Sequence, residues 1–383
     1  MGELTPRERF LATMKFKKPD RLPIFELWFP DQTILKWISE GMSLGKIIDQ
    51  KEALIHPQAL LPKPIYYVDL IKYFGLDRVE DLTIDFSPLP RFVYKILEET
   101  EEYRILMDQI GIKKKTFKTR TWGMPQFLDW QVKDDEDWNR IKTRFNPADP
   151  RRYPPEWGDD LIQYFNELDY PLCMWIPGFF AMGRQLMGTI NFVASFYRNP
   201  ELVSDMMNFW TEFLIETSRQ AVEALKSRID YVVIHEDMSY KHGPHVSPKL
   251  FRESMLPSYK KVTGFLKHNG IDIIFVDTDG DFRPLLQLLF EGGINGLLPN
   301  EVTAGIDVVA LRKEYGRRLL FIGNIDKMAL IEGKAAIEKE VKSKLPFMKE
   351  EGGYIPSLDH EVPPEVPYEN YVYYINLTKG LLR

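Results

Sequence analysis

Apolar stretches and amphipathic stretches alternate along most of this chain. Short runs rich in Val, Ile and Leu recur at 172–176, 231–234, 271–276, 296–298, 319–322 and 353–355. Their length and β-branched content predict buried strands of a parallel sheet. Between most of them lie stretches of helical period, at 191–197, 200–225, 248–268, 282–291, 307–315 and 334–351. Strand and helix in alternation predict βα units. The early apolar run Arg21–Phe29 also reads as a strand, with Glu26 its lone acid. The total of about seven or eight units predicts a closed (β/α)8 TIM barrel that occupies residues 1–383 as one domain.

The period changes between Phe92 and Val132. The segments 94–97, 102–107, 114–122 and 127–132 alternate or are β-rich, with Gly111 and Gly123 between them. They predict an antiparallel insertion or lid outside the main sheet. At the N-terminus, Thr5-Pro-Arg-Glu8 reads as a capping box with Pro at the first helical position.

Composition narrows the partners. The chain has 383 residues, 44% hydrophobic, with 24 Phe, 18 Tyr and 8 Trp, which is ample for a large core. A formal charge of −6 offers no basic field for nucleic acid. No apolar run is long enough for a bilayer, and the charged start after Met1 lacks the apolar region of a signal peptide. A cytoplasmic protein with neither a nucleic-acid nor a membrane partner is expected. The single cysteine, Cys173, excludes an internal disulfide framework and a Cys-rich metal site, and its apolar surroundings make it a core residue.

Acids gather where the apolar runs end. Tyr231–Ile234 is followed by His235-Glu-Asp237, and Ile271–Val276 by Asp277-Thr-Asp-Gly-Asp281. Carboxylates are expensive to desolvate, and the carboxyl ends of barrel strands are where active sites are built. On a strand His235 and Asp237 share one face and Glu236 takes the other, while Asp277 and Asp279 share a face. Two carboxylates on one face repel unless a cation, a shared proton or a ligand compensates. Asp281 reads as a helix N-cap. Asp359-His360 follows the last strand and precedes Pro363-Pro364, a place that suits a catalytic or metal-binding histidine. Asn300, Glu301, Asn324 and Asp326 also end strands, and His242 and His245 lie in a loop after Tyr240. Solvated or capping roles account for single members of these clusters. Three clusters of one kind, all at strand ends, point to a site. His235-Glu-Asp-Met-Ser239 is not a zinc-protease helix, because Ser239 stands where a second histidine is needed.

Several segments in order resemble the uroporphyrinogen decarboxylase superfamily: Glu8-Arg-Phe-Leu with Lys18–Pro23, Ser247–Pro257, Gly323-Asn-Ile-Asp326 and Gly353–His360. The resemblance implies a (β/α)8 barrel with its cleft at the carboxyl ends of the strands. The arginine-rich motif that binds substrate carboxylates in the true decarboxylases is replaced here by Glu26-Leu-Trp-Phe-Pro30. That departure turns the expectation towards the superfamily's other branch, methyltransferases that move a methyl group between a small donor or acceptor and a corrinoid protein. The thiolate ligands by which the thiol-methylating members hold zinc are missing, so either zinc is the cofactor on oxygen and nitrogen ligands, with Asp277, Asp279 and His360 as the expected set, or no metal is bound. Glu236, Asp237 and His360 are the expected catalytic groups. His235, Trp28, Phe179, Tyr240 and Asn324 are expected to contact substrate, with Phe29 and Trp122 as further aromatic walls. The corrinoid would arrive on a separate partner protein, and a homodimer is compatible with the family. Two other readings compete. A decarboxylase of a small acid would use Arg184 or Arg283 as the carboxylate's counter-charge, and a binding protein would share the scaffold without turnover.

Overall fold

The computed structural model describes residues 3–43, 67–118 and 124–382; Trp122 lies outside them. In chain order the strands are β1 (Glu80–Leu82), β2 (Lys95–Glu99), β3 (Tyr103–Met107), β4 (Lys113–Phe117), β5 (Gln126–Asp129), β6 (Leu172–Pro177) and β7 (Tyr231–His235). There follow β8 (Ser239–Tyr240), β9 (Gly243–Pro244), β10 (Ile274–Asp277), β11 (Gly296–Leu298), β12 (Leu320–Ile322) and β13 (Tyr354–Ile355). Seven of them form one curled sheet in the order β1-β6-β7-β10-β11-β12-β13, and every pair in it is parallel. The TIM-like α/β architecture expected from the alternation is therefore present. The insertion is present too: β2 to β5 form a separate antiparallel sheet in sequence order.

Strand parity divides the core in two. Cys173, Tyr231, Val233, Ile273, Phe275, Leu298, Leu320, Ile322 and Ile355 pack together inside the curl, with Phe25 from the early apolar run. Phe10 and Met14, from the helix Pro6–Met14 that Thr5 caps, join the same cluster. Phe10 lies 4.8 Å from the Tyr231 ring and 6.0 Å from that of Phe25. The alternate residues Val232, Ile234, Ile274 and Val276 face the other way and belong to the larger core beneath the helices. A residue that continues an inward row past the end of its strand arrives at the mouth of the curl, and one that continues an outward row arrives under the helices.

The eighth stave differs from expectation. Among the described residues, Arg21–Phe29 forms no strand. It lies extended and buried across the open side of the sheet. Asp77 N donates to Ile24 O at 3.0 Å on one flank, and Val362 N donates to Trp28 O at 3.1 Å on the other. Pro23 has no N–H to give a ladder, and the side chain of Glu26 makes the bonds that a backbone would make. Other elements escaped the periodicity, among them the helices Phe179–Met187, Lys327–Glu332 and Tyr368–Leu382 and the strand β1. The helix Phe179–Met187 carries only Arg184 and Gln185 as polar side chains, and β1 is three residues long, with two acids and only Leu82 buried.

Candidate functional site

The inward rows of β7 and β10 end in His235 and Asp277, which stand opposite each other in the register. His235 Nδ1 lies 2.7 Å from Asp277 Oδ2, and its Nε2 lies 3.9 Å from Asp237 Oδ2. Asp237 has a left-handed backbone at φ 49°, which lets the chain turn at once after the strand. Its carboxylate takes a 2.6 Å ion pair from Arg184, on the helix Phe179–Met187. Two residues past Asp277, Asp279 meets a group from the far end of the chain: His360 Nε2 is 3.7 Å from Asp279 Oδ2, and His360 Nδ1 is 3.4 Å from Glu361. Lys327 completes this half of the mouth, 3.5 Å from Asp359 and 3.7 Å from Glu301. Glu301 also accepts from Gly280 N at 2.9 Å.

The two histidines are held charged. Burial opposes the charge on His235, but the hydrogen bond and charge of Asp277, with Asp237 beside it, prevail and raise its pKa to about 9. His360 follows the same logic: burial lowers, Asp279 and Glu361 raise, and the result is about 9. Burial pushes Asp277 up, so it and His235 compete for a proton in one confined pair. Asp279 is also desolvated, yet His360, His235 and Lys327 pull it below the ordinary carboxylate range.

Of the expected residues, His235, Asp237, Asp277, Asp279 and His360 thus come together. Glu236 does not join them. Its row is the outward one, and its buried carboxylate accepts from the N–H groups of Phe179 (2.9 Å), Phe180 (2.7 Å) and Ala181 (3.1 Å) and from the Tyr259 hydroxyl. It caps the helix that carries Arg184. Burial pushes its pKa up while Tyr259 and those three N–H groups work against the shift. Phe179 is wholly buried in the same layer, 5.2 Å from the Tyr259 ring. Asn324 is buried as well: it donates to Asn300 O and Ile306 O at 2.7 and 2.9 Å, so its amide ties loops together. Phe29 packs in the core among Trp37, Phe74 and Tyr371. Trp28 is half-buried. Tyr240, 49% exposed, lies 5.0 Å from the stacked ring of His245, which in turn lies 5.5 Å from Phe180. Arg283 pairs with Asp281 at 2.8 Å, away from the Asp277 pair. Lys327 was not foreseen. It opens the helix Lys327–Glu332 after Gly323-Asn-Ile-Asp326, and nothing in its local sequence marks it as lining a cleft.

The expected metal trio is not a ligand group in this arrangement. Among the described residues no three His, Cys, Asp or Glu side chains converge so that they could hold a metal ion. Asp277 is committed to His235, and Asp279 and His360 to each other. The residues present do not fit a resident zinc.

A parallel curled sheet with titratable residues at its carboxyl ends defines an enzyme-like α/β scaffold. The chain belongs to the uroporphyrinogen decarboxylase (URO-D) family, whose model matches residues 162–381. It is 21% identical over 297 residues to a uroporphyrinogen decarboxylase of Rickettsia bellii, covering 73% of this chain and 84% of that one. It is 26% identical over 201 residues to a uroporphyrinogen decarboxylase of Legionella pneumophila, covering 52% of each. Among solved structures, a methyltransferase from Methanosarcina mazei superposes with a TM-score of 0.64 over 99% of both chains at 17% identity, a likeness of fold. Among the described residues no helix is long and apolar enough to cross a membrane.

Proposed function

We propose that this chain is a methyltransferase that moves a methyl group between a small methylated substrate, such as an aryl methyl ether, and a corrinoid protein. The observation that carries the reading is the pair of His–carboxylate couples at the mouth, each holding a proton at neutral pH. A methyl ether gives up its methyl only if the departing oxygen is relieved of charge, and a protonated histidine does that. The charge balance agrees. Asp237, Asp277, Asp279, Glu301, Asp359 and Glu361 outnumber Arg184, Lys327 and the two histidines, and both basic chains are already paired. Such a mouth repels a polycarboxylate and tolerates a neutral or cationic methyl donor.

In this reading the corrinoid on its partner protein supplies the nucleophile that takes the methyl group. The carbon–oxygen bond breaks with its electron pair on oxygen, and His360 gives that oxygen a proton. Asp279 keeps His360 charged beforehand and is left facing a neutral ring, which solvent reprotonates. His235, with Asp277 and Asp237, forms a second charged couple that orients the substrate. Tyr240 and Trp28 supply aromatic surface. Glu236 acts at one remove, through the helix that presents Arg184.

The test is turnover with a corrinoid-carrier protein and a panel of methyl ethers and methylamines. Methyl transfer is expected with at least one donor. His360→Gln and Asp279→Asn are each expected to lower kcat by about 100-fold or more with the circular dichroism unchanged. Release of CO2 from a panel of small acids, with no methyl transfer to any carrier, overturns the reading in favour of a decarboxylase.

A further inference from the structure

Glu26 has no part in the site described above, yet it is a carboxylate that is only 2% exposed. An acid in the middle of an apolar run is costly unless its oxygens are satisfied. Two of the groups that satisfy them lie in one segment, besides Tyr371 from the helix Tyr368–Leu382 and Leu27 N, which donates to Oε1 at 3.3 Å. Oε1 accepts from Ser357 Oγ at 2.8 Å and from Leu358 N at 3.3 Å, and Oε2 accepts from the Tyr371 hydroxyl at 3.1 Å. Ser357 and Leu358 immediately precede Asp359 and His360. The same segment is tied on its other flank by Ile325, which donates to Ser357 O at 3.1 Å and accepts from Asp359 N at 2.8 Å. Asp359 in turn receives Val302 N and Lys327 N at 3.0 and 3.1 Å. The segment that delivers His360 is therefore suspended between a backbone bridge to Ile325 and the side chain of Glu26.

The arrangement has a physical cause. An ordinary eighth strand would hold its neighbour by a ladder along its whole length. Here, among the described residues, that ladder is absent and Pro23 could not take part in it. Without Glu26 the Ile325 side would still be fixed, but the Glu26 side of Ser357 and Leu358 would face apolar wall with two donors unmet. His360 stands at 3.7 Å from Asp279, a loose separation that a small drift of the segment would open. Besides Asp279, the charged groups that act on His360 are Glu361, Lys327 and Glu301. Lys327 begins the helix Lys327–Glu332 and Glu301 follows β11, so both reach His360 from elements other than the segment that Glu26 bonds.

We propose that Glu26 is a positioning residue for His360: its carboxylate replaces the missing strand ladder at the barrel seam and sets where the imidazole stands against Asp279. The catalytic meaning of this rests on the function proposed above; the placement itself does not.

The experiment reads the histidine directly. The chain has 6 histidines, so the ring resonances of histidine-labelled full-length protein are few, and His360→Gln assigns the one of interest. Spectra at pH 7 are compared for the wild type and for Glu26→Gln, Glu26→Leu and Ser357→Ala. A glutamine keeps an acceptor for Ser357 and Leu358 and can donate to the Tyr371 hydroxyl, so Glu26→Gln leaves the His360 peak in place. Glu26→Leu and Ser357→Ala move that peak by more than its linewidth, while the His235 peak stays. If Glu26→Leu does not fold, Ser357→Ala, which removes a single oxygen, carries the same test. In the assay, the two disruptive variants lower kcat by about 10-fold with KM little changed, and Glu26→Gln retains activity. A stationary His360 peak in a folded Glu26→Leu or Ser357→Ala protein overturns the proposal, as does a Glu26→Gln spectrum as disturbed as that of leucine. If the peaks move as stated and the wild type transfers no methyl group, the placement stands and the proposed function falls.

Discussion

His235 and His360 owe their protons to the carboxylates opposite them more than to exposure. Each folded-state pKa is raised from 6.5 to about 9, against the opposing effect of burial. A group raised in this way contributes stability that is fully present below pH 6.5 and is lost as the pH climbs through about 9. Activity that needs the imidazolium follows the same sign. The profile of kcat/KM against pH should be level from neutrality and fall with an alkaline limb near 9. In Asp279→Asn that limb should move towards the ordinary histidine value while the amplitude drops. A limb that stays put in Asp279→Asn would show that the couple is not what titrates. These residues were readable in the sequence as acids and histidines after apolar runs. Their partners were not: Asp279 and His360 are far apart in the chain, and only the curl of the sheet brings them to 3.7 Å.

At the scale of elements, strand parity is what sorts the acidic clusters. His235 continues the inward row of Tyr231 and Val233, and Glu236 the outward row of Val232 and Ile234. Adjacent residues in one acidic cluster thus serve different purposes. Parity put Glu236 on the opposite face from His235 at once, but which face looked into the mouth needed the packing. Glu236 satisfies three N–H groups that begin the helix Phe179–Met187, and Gly178 leaves room for it, since a Cβ there would overlap the carboxylate. Glu236→Leu should therefore cost about 3 kcal/mol or more of unfolding free energy, through donors left unmet in an apolar layer. Glu236→Gln, which keeps an acceptor, should cost clearly less. Equilibrium denaturation in urea measures both. Equal and small losses would mean that the cap does not hold the helix.

Across the described residues, two large sheets with different neighbours share the chain, beside the small pair β8-β9. Apart from β1, the parallel sheet is buried on both faces, so its strands show as continuous apolar runs. The antiparallel sheet is half solvated: β2 is exposed along its length, and Lys115 lies 3.5 Å from the Tyr103 ring centre. This sheet was readable from its β-rich segments and the glycines between them. The seam was not, because Arg21–Phe29 has the composition of a strand but joins its neighbours through two backbone hydrogen bonds and the carboxylate of Glu26 in place of a ladder. The whole-chain arrangement also bears on zinc. Three ligands have to converge for a resident ion, and the mouth keeps its donors in separate couples. Dialysis against a chelator should leave Tm and the His235 and His360 resonances unchanged, and elemental analysis should find zinc well below one equivalent. Loss of Tm on chelation, restored by zinc, would show that the couples rearrange around a metal.

The sequence by itself determined the alternation of strand and helix, the antiparallel insertion, the family and the chemical types gathered at strand ends. Those follow from local period, turn residues and the cost of desolvating acids, all of which act over a few neighbouring residues. The tertiary structure decided which acid meets which histidine, that Glu236, Phe179 and Asn324 serve the scaffold, that Lys327 enters the mouth, and that Glu26 holds the seam. Each of those depends on which groups from distant segments the curled sheet brings together, and no local pattern carries that information.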